Sequence, residues 1–76
     1  MDFHIVKNPT KVKEFGLHLR RLRQARGLSQ QQLADLADVS KITIQRIENA
    51  KFNVTLDTLV SIANALEITL SKLLVF

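Results

Sequence analysis

Lys41, Ile42, Gln45, Arg46 and Asn49 fall within the nine residues Lys41-Ile42-Thr43-Ile44-Gln45-Arg46-Ile47-Glu48-Asn49. Wound as a helix at about 100° per residue, Ile42, Gln45, Arg46 and Asn49 share one side, while Ile44 and Ile47 point to the other. The outer edge therefore combines cationic donors, amides and one aliphatic side chain. Lys41 and Arg46 can only donate hydrogen bonds. Guanine O6 and N7 are matching acceptors, which Arg meets bidentately. Ile42 is apolar on an otherwise solvent-facing edge, a placement that contact with a thymine methyl would explain. Gln45 suits either adenine or a phosphate, and its chemistry does not choose.

Catalytic chemistry finds no comparable constellation. His4 and His18 are the two histidines, and neither has a Cys, Ser or acid at a recognised catalytic spacing. Asp35 and Asp38 stand one helical turn apart without a phosphate loop or metal motif beside them. Cysteine is absent, which excludes disulfides and thiolate zinc sites. No enzyme activity, metal or cofactor is expected. Phe3, Phe15, Phe52 and Phe76 are the only aromatics and form no stacking platform, so RNA recognition ranks low. Charge is distributed unevenly: residues 1–26 balance to +5, residues 27–50 to −1 and residues 51–76 to zero, within a net +4. Such a basic pole suits a polyanion partner, although a solvated helix face would account for it too. With 76 residues, 46% of them hydrophobic, the chain has the make-up of one small globular domain. No apolar run approaches the roughly 18 residues that span a membrane, and no leader pattern is seen, so a soluble cytoplasmic protein is expected.

The elements that must hold the Lys41–Asn49 stretch are helices. Asn8-Pro9-Thr10 starts the first, with Phe15, Leu19 and Leu22 as an inward stripe flanked by Val12 and Ala25. Gly27 stops it in the C′ position. Ser29 and Gln32 form a capping-box pattern ahead of a second helix, whose buried face is Leu33, Leu36 and Ala37. Ser40 caps the third. Thr55 caps a fourth, with Leu56, Leu59, Ile62, Ala63 and Leu66 inward. Thr69 caps a short fifth carrying Leu70, Leu73 and Leu74. The expected fold is all-α, five helices over residues 10–76, preceded by an arm or short strand at residues 1–9. Residues 28–49 are thus two short capped helices joined by a tight turn, the second polar on its outer face. That is the plan of a helix-turn-helix, whose second helix enters the DNA major groove.

Gly27-Leu28-Ser29-Gln30-Gln31-Gln32-Leu33-Ala34, then Val39-Ser40, then Ile44-Gln45-Arg46-Ile47-Glu48-Asn49 resembles the phage repressor/Cro-type helix-turn-helix family, also called the Xre family. Thr55-Leu56-Asp57-Thr58-Leu59 and Ile62-Ala63-Asn64-Ala65-Leu66 extend the resemblance over roughly residues 14–74. It implies a sequence-specific binder of double-stranded DNA and a transcriptional regulator, either a repressor or an autoregulator. By the same resemblance, Lys41, Ile42 and Arg46 are base-reading positions. Gln30 contacts a phosphate and braces the reading helix. Ser40 and Asn49 match backbone positions, Lys51 and Asn53 lie in the loop along the backbone, and Gln45, whose chemistry leaves adenine open too, is grouped with the backbone set. Arg23 and Glu48 match a structural ion pair, which leaves Arg20 and Arg21 as solvated side chains or weak phosphate contacts.

The chain departs from the family pattern at Asp38, Ala50 and Glu67, where Gly is common, and at Val54, a frequent Pro. Asp tolerates a left-handed backbone, so the turn at Asp38 can form. At the exit of helix 3, Asn49 is the expected left-handed residue in place of Ala50. The ending Leu70, Leu73, Leu74, Val75 and Phe76 either closes the core or forms a homodimer seam. An isologous dimer would set two reading helices about 34 Å apart and match a palindromic operator. The alternative to a plain regulator is an antitoxin-like module that binds a toxin or other protein as well as its operator.

Overall fold

Each turn of this chain is built from the same two local devices, a hydroxyl that starts a helix and a left-handed residue that ends one. In the computed structural model, which describes residues 8–51 and 54–76, five helices follow in order: α1 (Pro9–Ala25), α2 (Gln30–Ala37), α3 (Lys41–Glu48), α4 (Leu56–Ala65) and α5 (Leu70–Leu73). The expected arm at residues 1–9 falls largely outside the described residues, as do Phe52 and Asn53.

Ser29, Ser40, Thr55 and Thr69 each accept the backbone N–H three residues on, at 3.0 to 3.2 Å. At Ser29 the capping box is complete, because the Ser29 N–H also donates to Gln32 Oε1 at 2.8 Å. Asn8 precedes α1 without a side-chain cap, and Pro9 occupies the first turn, where its missing N–H costs nothing.

The stops repeat as well. Gly27 at φ +70° lets Leu28 N–H reach Arg23 O at 3.1 Å. Asp38, Ala50 and Glu67 adopt φ of 57°, 59° and 58° and close equivalent loops: Val39 to Ala34 O, Lys51 to Arg46 O, Ile68 to Ala63 O. These are Schellman-type ends, which satisfy carbonyls that a helix terminus leaves open. Asp38 thus fills its turn as expected. Asn49 does not take the left-handed position; it stays at φ −94° and Ala50 takes it. The reason is register: the bond from Lys51 N–H to Arg46 O requires the left-handed residue immediately before Lys51.

Among the described residues the largest fully buried side chains are Leu19, Leu33, Ile44, Ile47, Ile62 and Leu73, which come from all five helices, and Leu66 at the C-terminal cap of α4. The expected inward faces need four corrections. Ala25 is exposed, and on α1 Gly16 and Arg23 are buried beside Phe15 and Leu19. Leu36 is 60% exposed, because it sits about 100° round from the centre of the face made by Leu33, Ala34 and Ala37. Leu56 is 65% exposed: side chains lean toward the helix N-terminus, so one at the first position overhangs the end. On α5 only Leu73 is buried, while Leu74 is 43% exposed.

Phe76 returns to α1, its ring 5.5 Å from that of Phe15 and 5.7 Å from that of His18. His18 therefore acts as packing surface, and among the described residues its buried Nε2 has no hydrogen-bond partner. Gly16 matters for a different reason. A Cβ there would stand 2.5 Å from Ile47 O and 2.9 Å from Glu48 O. The absence of a side chain at Gly16 is what lets the end of α3 lie directly on α1.

Candidate nucleic-acid interface

Two apolar knobs seat α3 from below. Ile44 and Ile47 are buried, and α3 packs against α1 and α2. Its other side is bare. Lys41, Arg46 and Asn49 are exposed, Ile42 is 56% exposed, and Gln45 and Thr43 are half-buried. Among the described residues no carboxylate lies within ion-pair distance of Lys41, Arg46 or Lys51. Two lysines and an arginine thus line one edge with their charge unspent. Ser40 leads into this edge with its hydroxyl engaged twice, accepting from Thr43 N–H at 3.1 Å and paired with the Thr43 hydroxyl at 2.9 Å.

The inner end of α3 is fixed by a carboxylate. Glu48 is fully buried at its side chain and collects donors from three directions. Arg23 of α1 reaches it bidentately, Nε to Oε2 at 2.7 Å and NH2 to Oε1 at 3.0 Å. Gln30 of α2 donates to Oε1 at 3.1 Å. Arg20 of α1 donates to the same oxygen at 3.4 Å. Arg23 also donates to Leu28 O at 2.9 Å, so a single guanidinium joins α1, the turn before α2, and α3. Fork-to-fork pairing of this kind fixes angle as well as distance. Burial alone would push the Glu48 carboxyl up; the hydrogen bonds from Arg23, Gln30 and Arg20, with the Arg23 charge, outweigh it and hold the group below the usual carboxylate range. The Arg23 guanidinium is held above its ordinary value, chiefly by its hydrogen bond to Glu48 against the cost of burial.

The residues expected to hold a DNA backbone separate into two groups. Ser40, Asn49 and Lys51 are exposed along the ends of α3, and Gln45 is half-buried midway. Gln30 is half-buried, and its amide donates to Glu48 at the inner end of α3. Arg23 and Glu48 form the anticipated ion pair.

Two contributors were not singled out in the sequence. Gly16 provides the close crossing described above. Arg20, expected to be solvated or a weak phosphate contact, binds Glu48 and also donates from NH2 to Asn49 Oδ1 at 3.3 Å. A signal was present: Gly16, Arg20 and Arg23 recur at i, i+4 and i+7 along α1, one stripe of a helix face. No helix of the described residues is long and apolar enough to cross a membrane.

Comparison with known proteins places this geometry. Residues 19–73 match the helix-turn-helix family model. The control protein C.SmaI of Serratia marcescens is 39% identical over 57 residues, covering 75% of this chain and 68% of that protein. The crystal structure of the restriction-modification controller protein C.AhdI from Aeromonas hydrophila superposes with a TM-score of 0.83 at 36% identity, covering 84% of this chain and 97% of that one. A transcriptional regulator from Vibrio cholerae gives 0.82 at 33% identity, over 88% of this chain and 38% of the other. With its capped helix pair, its bare outer edge on α3 and a family match over most of its length, the chain belongs to the repressor/Cro-type (Xre) helix-turn-helix family of DNA-binding transcriptional regulators.

Proposed function

We propose that this protein acts as a controller of the restriction-modification type, binding a symmetric operator in double-stranded DNA through α3. The observation that carries this is the outer edge of α3: Ile42, an aliphatic residue 56% exposed, lies between cations that have no carboxylate partner among the described residues, on a helix locked from behind by Glu48. An apolar side chain left bare on such an edge suits a thymine methyl, and Lys41 and Arg46 suit guanine acceptors. Ser40, Gln45, Asn49 and Lys51 then follow the phosphates. The first backbone N–H groups of α2 have no intrahelical acceptor, so Gln30 and the helix start suit one more phosphate. The controller assignment draws on the likeness to C.AhdI, most of whose length is matched.

Residues 10–76 form the binding unit in this proposal, with residues 1–9 as its arm, acting in the cytoplasm without catalysis. A second copy is the partner. Leu56 and Val60 lie one turn apart on α4, 65% and 39% exposed, and Val75 near the C-terminal end is 71% exposed. Exposed aliphatics of this kind suit an isologous seam.

In vitro selection from random duplexes tests the function. Enrichment of a twofold-symmetric sequence, bound by a species that sediments as a dimer, is expected. Absence of enrichment would remove the proposal, and a monomer on the enriched duplex would remove the symmetric dimer.

A further inference from the structure

We propose that Arg20 and Asn49 form one composite phosphate contact at the exit of α3, in which Arg20 supplies the charge and also fixes the direction of the Asn49 amide. This rests on DNA binding through α3.

The charge count comes first. Glu48 carries a single negative charge, and two guanidinium groups surround it. Arg23 already meets it through two short bonds, 2.7 and 3.0 Å, and is 10% exposed at its side chain. Arg20 reaches the same carboxylate at 3.4 Å and is 38% exposed. One positive charge is therefore left over, and it sits on the arginine that faces solvent. Glu48 does not require Arg20 for neutralisation, so that charge is available to an anion.

Next comes the amide. A guanidinium has five donors and no acceptor, so the Asn49 oxygen, and not its nitrogen, must face Arg20. The 3.3 Å bond from Arg20 NH2 to Asn49 Oδ1 accordingly turns the Asn49 NH2 group away from α1, as a donor on an exposed side chain. Without Arg20 the amide is free to rotate by half a turn and present its oxygen, which repels a phosphate. The carbonyl ends of α3 do not compete strongly at this spot. Arg46 O and Ile47 O accept from Lys51 and Ala50 N–H at 2.8 and 3.1 Å. Lys51 follows two residues later and is exposed. The Arg20 guanidinium and the Asn49 amide thus offer donors side by side, with the exposed Lys51 two residues further along the chain, and the chemistry that suits them is a nucleic-acid phosphate.

Salt dependence of binding, measured by fluorescence anisotropy on the selected duplex and on a random duplex, tests this with the full chain. Arg20→Ala is expected to lower the slope of log K against log salt by about one on both duplexes. Its thermal unfolding should stay close to that of the unsubstituted protein, because Arg23 and Gln30 still hold Glu48. Asn49→Ala is expected to weaken binding about fivefold when Arg20 is present and less than about twofold beside Arg20→Ala. Arg20→Lys separates the two roles: it should restore the slope, since charge returns, without restoring the Asn49 contribution, since an ammonium lacks the fork. An unchanged slope in Arg20→Ala, or simple additivity with Asn49→Ala, overturns the composite contact. Those results on a duplex that the protein binds tightly remove this proposal alone, whereas a protein that binds no selected duplex removes the DNA-reading function and this contact together.

Discussion

Glu48 is the residue on which the reading helix depends, and its chemistry has a pH consequence. The folded protein holds its carboxyl below the ordinary range, so the unfolded chain binds that proton more readily. Stabilisation from this group is complete above the unfolded carboxyl pKa of about 4.3 and is lost as pH falls below it toward the depressed folded value. Thermal midpoints measured from pH 7 down to pH 3 are expected to fall in the acid limb, with Glu48→Gln flattening that limb. A Glu48→Gln protein whose acid limb matched the original would show that other carboxylates set it. Glu48→Ala, which strands the Arg23 charge in a buried position, is expected to cost about 3–5 kcal/mol. The type of residue at positions 23 and 48 was readable in the sequence through family likeness. Gln30 was readable as a brace through the same likeness, whereas the contact from Arg20 to Glu48 spans 28 residues of chain, and only the recurrence of Gly16, Arg20 and Arg23 along α1 favours Arg20 over Arg21.

The helices themselves were readable to the extent that local forces place them. Ser29 with Gln32, Ser40, Thr55, Thr69 and Gly27 all act within one turn of where they stand, and each does in the structure what its position predicts. Faces were less readable. Leu36 and Leu56 fit an apolar period yet are exposed, since burial depends on which neighbour lies opposite and not on period alone. Gly16 belongs to no apolar stripe and to no helix stop, and its recurrence with Arg20 and Arg23 along α1 is its one mark in the sequence. Its role follows from a crossing, and Gly16→Ala would drive a Cβ into the carbonyls of Ile47 and Glu48. Backbone cannot yield as a side-chain tip does, so a loss of about 1–3 kcal/mol is expected by denaturant unfolding, together with weaker operator binding. An unaffected midpoint would mean that α3 is not held against α1 at this point. Ala50→Gly acts in the opposite direction. Ala50 sits at φ 59°, a conformation that Gly adopts without the Cβ penalty, so a gain of about 0.5–1 kcal/mol is expected from the same measurement.

At the scale of the whole molecule, the two ends of α3 have different jobs. Its buried side and its Glu48 end are held by α1 and α2, which makes the outer edge a rigid template and not a flexible arm. Rigidity lowers the ordering cost of binding and leaves discrimination to the side chains that meet the base edges. In the proposed binding mode Lys51, beyond the helix, follows the phosphates, so Lys51→Ala should weaken all duplexes alike and lower the salt slope by about one. The decisive comparison is the binding of Arg46→Ala to the selected duplex and to a panel of its single-base-pair variants. If α3 reads bases, this substitution costs about 1–3 kcal/mol on the selected duplex and abolishes preference at one base pair of each half-site, leaving the others intact. If every duplex in the panel is weakened by the same factor, Arg46 meets only phosphate and the base-reading role of α3 is wrong.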